Sequence, residues 1–179
     1  MATQTYEDFL KDKADFNEQY GFPVKRSEIS PVLKPHQKDI VQWAVAGGRR
    51  AIFASFGLGK SIMQLETLRL ILQREGGRAL IICPLGVRIE FAADAKKHLG
   101  LGTTFIRRDE DVRGDGIYIT NYESVRDGKL SVDHFTAVTL DEASILRSFG
   151  SKTYQTFLAS FDQVKYKFVA TATPSDRKS

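Results

Sequence analysis

Cysteine is nearly absent from this chain of 179 residues, and its scarcity excludes two structural classes. Cys83 is the single thiol, so no internal disulfide can form. The three histidines, His36, His98 and His134, do not combine with it at the spacing of a metal site. Cys83 ends an apolar run, which predicts a small buried hydrophobic residue instead of a nucleophile. A cytoplasmic location is therefore expected.

Long hydrophobic runs and blocks of one charge are missing too. Hydrophobic residues form 42% of the chain, enough for one compact core, and no stretch suggests a membrane span. Charges follow Met1–Gln4 at once and no apolar segment comes after them, unlike a signal peptide. The net charge of +4 arises from dispersed lysines and arginines. It permits contact with an anionic polymer without establishing one.

A phosphate-binding loop is the strongest motif that the sequence contains. An apolar strand ending at Ala54 leads into Gly-Lys-Ser, where a helix is expected to begin. Small residues let successive N–H groups face phosphate oxygens, and the helix N-terminus adds a positive end. Lys60 is expected on the β- and γ-phosphates of a nucleoside triphosphate, and Ser61 on Mg²⁺. Ala54 stands where the strict pattern has glycine, so an ordinary turn remains the alternative. The predicted loop contacts are Ser55, Phe56, Gly57, Leu58, Gly59, Lys60 and Ser61.

A second motif supplies two adjacent carboxylates. The apolar run Phe135–Leu140 predicts a buried strand, and Asp141 and Glu142 follow it directly. Asp141 is expected to hold Mg²⁺ through water, and Glu142 to orient and deprotonate an attacking water. The alternative is a buried strand that enters a solvated acidic turn. The carboxyl edge of an α/β sheet is where ligands bind, and this favours the functional interpretation.

Strands and helices alternate along the chain, which predicts an α/β fold with a mostly parallel sheet between helices. Before the phosphate loop, a helix is expected from Pro35 to Gly47. The predicted strands are 51–54, 79–83, 104–106, 117–120, 135–140 and 167–170, and further helices are predicted at 60–74, 87–98 and 153–161. Residues 1–30 are expected to form a helical extension packed on the core, and residues 31–179 the main domain.

The order of these motifs resembles the first RecA-like domain of superfamily 2 helicases and translocases. The phosphate loop and Leu33–Gln37 resemble those of Swi/Snf-type DNA translocases and of helicase-like phage proteins. Further blocks that match in order are Ile82–Leu85, Ile119–Glu123, Asp141–Ser144 and Ala170–Pro174. Six blocks in sequence are far more specific than any one of them. The resemblance implies a RecA-like P-loop NTPase fold, ATP and Mg²⁺ as cofactors, and nucleic acid as partner.

The resemblance also implies roles for individual residues. Gln37 would read adenine, because a side-chain amide offers one donor and one acceptor; a surface glutamine is the alternative. Two short segments would contact the nucleic-acid backbone. An ordinary strand-to-helix turn is the alternative for the first segment, and a helix N-cap is the alternative for the second. Thr171 and Thr173 would couple the nucleotide to these contacts. The two backbone-contacting segments comprise Pro84, Leu85, Gly86 and Arg88, and Thr120 with Asn121.

The sequence departs from the family in two ways and is compatible with several other functions. Ser144 stands where many relatives have histidine or aspartate. In this family, arginines from a second RecA-like domain complete the ATP site. That domain is expected to be missing here, so slow ATP hydrolysis is predicted. Duplex DNA is the favoured nucleic-acid partner, and RNA is the alternative. A nucleotide-dependent interaction module is a further alternative, and a P-loop kinase is disfavoured. A bacterial or phage-infected cytoplasm is expected.

Overall fold

The computed structural model describes residues 19–54, 57–148 and 150–171. Within them a six-stranded sheet is flanked by helices, as the sequence predicts. The strands are β1 (Arg49–Phe53), β2 (Arg78–Ile82), β3 (Thr103–Phe105), β4 (Gly116–Thr120), β5 (Ala137–Asp141) and β6 (Tyr166–Thr171). The helices are α1 (Pro35–Gly47), α2 (Lys60–Glu75), α3 (Arg88–Leu99), α4 (Tyr122–Arg126) and α5 (Ser151–Ala159).

Every pair of neighbouring strands is parallel, and their order across the sheet is β1-β6-β5-β2-β4-β3. The register pairs Asp141 with Ala170 on β6, and Phe53 with Thr171. The carboxyl ends of β1, β6 and β5 therefore meet at one edge of the sheet. This edge brings the phosphate loop and the paired acids together, although about 80 residues separate them in sequence.

Two hydrophobic cores occupy the two faces of the sheet. Helices α1, α2 and α3 pack on one face, where Val41, Leu65 and Phe91 are buried. Helices α4 and α5 pack on the other, where Tyr122 and Phe157 are buried. Alternate residues of β2 belong to opposite cores, and four of its five residues are fully covered. Such apolar runs are typical of a central strand in a parallel sheet.

Most predicted elements are confirmed to within two residues at their ends, and one short helix was expected only as an alternative. This helix, α4, lies directly after β4, where Thr120 and Asn121 are expected to contact nucleic acid and a helix N-cap is the alternative. Residues 1–18 of the predicted N-terminal extension lie outside the described residues. Tyr20 and Phe22 donate backbone hydrogen bonds to the carbonyls of Gly47 and Val45, so residues 20–22 pack along the end of α1. In the described part of the chain, no helix has the length and apolar character to cross a bilayer.

Candidate active site

The phosphate loop joins β1 to α2 at the carboxyl edge of the sheet. Gly57 and Gly59 have φ angles of 82° and 78°, in the left-handed region that side chains rarely adopt. A Cβ on Gly59 would lie 2.4 Å from the Nε2 of Gln37. The backbone angle therefore favours glycine at position 59, and any other side chain would also displace the Gln37 amide. Ser55 and Phe56, which the sequence also assigns to the loop, lie outside the described residues.

Gln37 holds this loop against the start of α1. Its Nε2 donates to the Leu58 carbonyl at 2.9 Å, and its Oε1 accepts from the backbone N–H of Lys34 at 2.9 Å. The side chain is buried. In this arrangement one N–H and one carbonyl lone pair of the amide serve the protein itself, which leaves the second N–H and the second lone pair for an adenine ring. The surface-glutamine alternative is wrong, because Gln37 is covered.

Lys60, at the first position of α2, lies between the two predicted acids. Its Nζ is 3.3 Å from Glu142 Oε2 and 3.7 Å from Asp141 Oδ1. The Lys60 side chain is 17% exposed and that of Asp141 is 6% exposed, which limits solvent screening of the ion pair. The three residues that the sequence singles out as catalytic are thus gathered in one place.

Glu142 has an unusual backbone and a well-defined carboxylate. Its φ of 53° makes it the one non-glycine residue with positive φ among those described. Such conformations cluster at functional sites. Ser144 and Thr171 both donate hydroxyl hydrogen bonds to Oε1, the latter at 3.2 Å. The Ser144 bond, helped by Lys60 and Thr171, lowers the pKa of Glu142 below its ordinary value. The carboxylate is therefore ionised and able to accept a proton at neutral pH.

Asp141 lies deeper, at the end of β5. Burial raises the pKa of Asp141 above its ordinary value, against the opposing hydrogen bond from Gln64 Nε2 at 2.9 Å. Gln64 in turn accepts from the Thr139 hydroxyl at 2.7 Å, and the Asp141 carbonyl accepts from the Tyr122 hydroxyl at 2.7 Å. The backbone and the carboxylate of Asp141 are therefore both fixed by buried partners.

Ser61, the other predicted Mg²⁺ ligand, is held from α3. Its Oγ donates to Asp94 Oδ2 at 2.7 Å, and Asp94 Oδ1 lies 3.9 Å from His98 Nε2. Because the serine hydrogen is directed at Asp94, the oxygen lone pairs remain available to a cation. Asp94 is a third carboxylate near the loop that sequence reasoning missed. No signal marks it, since it belongs to an ordinary amphipathic helix.

A cleft of about 420 Å³ opens between the loop, the paired acids and the start of α3. Its volume lies in the range of small-ligand sites. Its oxygen donors, the Ser61 hydroxyl and the Asp141 carboxylate, are the ligand type that Mg²⁺ prefers. Together with the loop N–H groups and Lys60, these residues fit a magnesium–nucleotide complex. The cleft is lined by Gly57, Gly59, Lys60, Ser61, Pro84, Val87, Glu90, Phe91, Asp141 and Glu142.

The first predicted nucleic-acid segment forms an exposed turn beside this cleft. Leu85–Val87 is a single 3₁₀ turn, and Leu85 is 45% exposed. Gly86 is exposed, and Pro84 lines the cleft itself. Arg88 begins α3 and places its guanidinium 4.5 Å from the centre of the Phe105 ring, a cation–π distance. The segment therefore exposes apolar groups next to this cleft, with a half-buried cation, Arg88, behind them.

The second predicted segment is mostly committed to the fold. Thr120 is fully buried and its hydroxyl donates to the Ile106 carbonyl at 2.9 Å, so this hydroxyl does not face solvent. Asn121 is the N-cap residue of α4, and its amide contacts Glu123 and Ser124. The N-cap alternative therefore describes the position of Asn121. A contact between Thr120 and a phosphate is incompatible with this burial.

Other sequence interpretations have mixed outcomes. Cys83 is completely buried, and burial raises the pKa of its thiol to about 12, as expected of a structural residue. Thr171 touches Glu142, whereas Thr173 lies outside the described residues. Gln64 and Tyr122 were not predicted. Gln64 follows the loop motif without belonging to a recognised block, and Tyr122 lies inside the block Ile119–Glu123 but gives no sign of its hydrogen bond to the Asp141 carbonyl.

Comparison with solved structures identifies the architecture. The UvsW helicase of bacteriophage T4 superposes with a TM-score of 0.68 at 18% identity, over 98% of this chain and 62% of that one. A second T4 UvsW structure gives 0.66 at 18% identity, over 96% of this chain and 35% of its own. The chain therefore has a RecA-like α/β fold, which these structures share.

A third solved structure agrees with this architecture. The SWI2/SNF2 ATPase core of Sulfolobus solfataricus, in complex with double-stranded DNA, gives a TM-score of 0.68 at 19% identity, over 88% of this chain and 35% of that one. The chain thus spans between about one third and two thirds of these proteins. No protein-family model matches it, and neither does any curated protein sequence.

Proposed function

We propose that this chain is the ATP-binding first motor domain of a DNA helicase or translocase. The observation that carries the proposal is the position of Lys60 between Asp141 and Glu142, above a phosphate loop with two left-handed glycines. The RecA-like helicase fold supports it independently. Together they favour an NTPase over a kinase or a passive binding module.

Each group in the cleft has a distinct role under this proposal. The loop N–H groups and Lys60 bind the β- and γ-phosphates, and Ser61 and Asp141 hold Mg²⁺, Asp141 through water. When bound, Mg²⁺ supplies positive charge that neutralises the phosphate oxygens. Gln37 selects adenine with the amide N–H and the carbonyl lone pair that its bonds to Leu58 and Lys34 do not use.

Glu142 is the proposed general base. Its lowered pKa keeps it ionised, and it removes a proton from the water whose oxygen attacks the γ-phosphorus. The bond from that phosphorus to the bridging oxygen breaks, which yields ADP and inorganic phosphate. Thr171, at the end of β6, donates a hydrogen bond to Glu142. Through this bond it couples the protonation of the base to the position of the strand end.

Nucleic acid is the proposed partner at the exposed turn that precedes α3. The Sulfolobus ATPase core with the same fold is bound to double-stranded DNA, and this favours duplex DNA over RNA. Pro84, Leu85, Gly86 and Arg88 are the proposed contacts, and Asn121 is a secondary one at the same edge. A second RecA-like domain is the proposed partner that completes the site, and an arginine from it would add about 10³–10⁵ in rate.

Binding and turnover of ATP test the proposal directly. Lys60→Ala should weaken Mg²⁺-ATP binding by roughly 2–5 kcal/mol, since it removes a partly buried cation from the phosphates. Lys97→Ala, an exposed lysine at the far end of α3, is the matched control and should leave binding unchanged. Calorimetric titration measures both. Unaltered ATP binding by Lys60→Ala would overturn the assignment of the loop.

Stimulation by polynucleotides separates the alternatives. In the presence of a second RecA-like domain, duplex DNA should raise the rate of ATP hydrolysis more than RNA does. Greater stimulation by RNA would indicate an RNA helicase domain. ATP binding with no stimulation by either polymer would favour a nucleotide-dependent interaction module.

A further inference from the structure

Gln64 is a polar residue in a position that packing alone would fill with an apolar one. It lies on α2, one turn after Lys60, and its relative exposure is 1%. Its neighbours Met63 and Leu65 on the same helix are also completely buried. Burying an amide costs free energy unless both of its ends find hydrogen-bond partners. Both ends of Gln64 do, and one partner is the carboxylate of Asp141.

The direction of this hydrogen-bond chain is fixed by chemistry. An ionised carboxylate only accepts hydrogen bonds, so the NH₂ end of the Gln64 amide must face Asp141 Oδ1, at 2.9 Å. The carbonyl end then faces Thr139 Oγ1 at 2.7 Å, and the hydroxyl must donate to it. Thr139 lies two residues before Asp141 on β5, and therefore on the same face of the strand. Strand, helix and carboxylate are joined in a closed loop of contacts.

Gln64 itself does not line the cleft, whereas Asp141 does. The amide can therefore affect a ligand only through the carboxylate. Apart from this bond, Asp141 Oδ1 has the Lys60 Nζ at 3.7 Å, and Lys60 must turn toward phosphate when a nucleotide binds. Among the residues that the structure describes, the Gln64 bond is then the side-chain hydrogen bond that remains to hold the buried carboxylate in one orientation.

We propose that Gln64, anchored by Thr139, is a positioning residue that holds the Asp141 carboxylate in the orientation in which it holds Mg²⁺ through water. This inference rests on the proposed ATP site and adds a residue to it. Partners behind a metal ligand typically contribute a factor of about 10–100 to metal affinity. Gln64 should act on the metal-dependent part of nucleotide binding and not on the part due to the loop and Lys60.

The test separates these two parts with a fluorescent ATP analogue, titrated once with EDTA and once with increasing MgCl₂. Gln64→Met keeps the size of the side chain and removes both hydrogen bonds. It should raise the Mg²⁺ concentration needed for half-maximal binding by about 10–100-fold, while affinity in EDTA stays near that of the unmodified chain. Gln42→Met is the matched control, because Gln42 also donates one hydrogen bond, to the Val24 carbonyl, and does not line the cleft.

Thr139 provides a second, independent variant. Thr139→Val removes the hydroxyl and should raise the required Mg²⁺ concentration by a smaller factor than Gln64→Met does. Thr139→Ser keeps the hydroxyl and should have the same Mg²⁺ requirement as the unmodified chain. The double variant should be no worse than Gln64→Met alone, because Thr139 acts only through the amide. If Gln64→Met does not fold, the Thr139 pair decides the question.

Two outcomes would count against the inference, and they are distinguishable. Equal Mg²⁺ requirements in the unmodified chain, Gln64→Met and Thr139→Val would show that the amide only fills the core. If the unmodified chain bound no nucleotide with or without Mg²⁺, the proposed function would fail and this inference with it.

Discussion

Two regions at the same edge of the sheet differ in how far their side chains are committed to the fold. In the cleft between the loop and the paired acids, Lys60, Ser61 and Asp141 are each bonded to another side chain of the protein. At the turn before α3 and in the first turn of that helix, the apolar side chains of Leu85 and Ile89 are 45% and 69% exposed. The first region is arranged before any ligand arrives, and Lys60 must leave the acids to reach one. The second offers an open surface, as expected for contact with a large polymer.

This contrast has an energetic reason. Groups that act on reacting atoms must be held in place before the reaction, and buried hydrogen bonds achieve this at little entropic cost during turnover. Groups that follow a polymer backbone contact a repeating, hydrated surface and gain from remaining accessible. Substitutions in the cleft should therefore have large, specific effects, and those at the turn should have small, graded ones.

The largest expected effect is on turnover when the base is removed. Glu142→Gln should lower the rate of ATP hydrolysis by about 10²–10⁴-fold, because the amide cannot accept the proton of the attacking water. Nucleotide affinity should change little. Glu90→Gln, at an exposed acid that lines the same cleft, is the control and should retain turnover. Phosphate release assays give the rates, and a fully active Glu142→Gln would rule out this residue as the base.

Substitution of one glycine in each region compares how strongly the two backbones are constrained. Gly59→Ala should lower the free energy of unfolding by roughly 1–3 kcal/mol, because it forces a side chain into left-handed backbone against Gln37. A Cβ on Gly86 would meet no heavy atom within 4 Å, and the φ of Gly86 is not positive, so Gly86→Ala should stay within about 0.5 kcal/mol. Denaturant unfolding measures both. Equal losses would mean that the turn is as constrained as the loop.

Removal of a single cation at the turn should have a modest, salt-dependent effect. Arg88→Ala should weaken binding of duplex DNA and reduce the slope of log affinity against log salt by about 1, as loss of one phosphate contact predicts. Lys97→Ala, on the same helix and exposed, should leave the slope unchanged. Fluorescence anisotropy over a range of salt concentrations measures the slope. An unaltered slope in Arg88→Ala would show that Arg88 does not contact a DNA phosphate.

The smallest expected effect is a gain in stability. Burial raises the pKa of Asp141, and a carboxyl with a raised folded pKa reduces stability above that pKa. Asp141→Asn should therefore unfold at a higher temperature at pH 7, by roughly 2–4 °C for each kcal/mol gained. The difference from the unmodified chain should shrink as the pH falls through the raised pKa, where Asp141 becomes neutral. A variant less stable at pH 7 would show that the charge of Asp141 stabilises the fold through Lys60.

The sequence predicted the fold and the meeting of three motif residues at one edge of the sheet, because both depend on local patterns. Alternating apolar runs and glycine breaks placed the strands, and three motif residues, Lys60, Asp141 and Glu142, meet in the structure as expected. It failed for Thr120, whose hydroxyl was assigned to phosphate and lies in the core. A threonine at the end of a strand has the same pattern whether it faces a ligand or the next strand.

The amino-acid order specifies the set of reactive groups and the edge at which they gather, since each group belongs to a contiguous motif at the end of an element. The packing of the folded chain selects the side chains that hold those groups. Gln64 reaches Asp141 across 77 residues and Asp94 reaches Ser61 across 33. Such pairs depend on the strand order β1-β6-β5 and on the packing of α2 and α3. No periodicity encodes them, because a hydrogen bond between distant residues leaves no mark on the residues between.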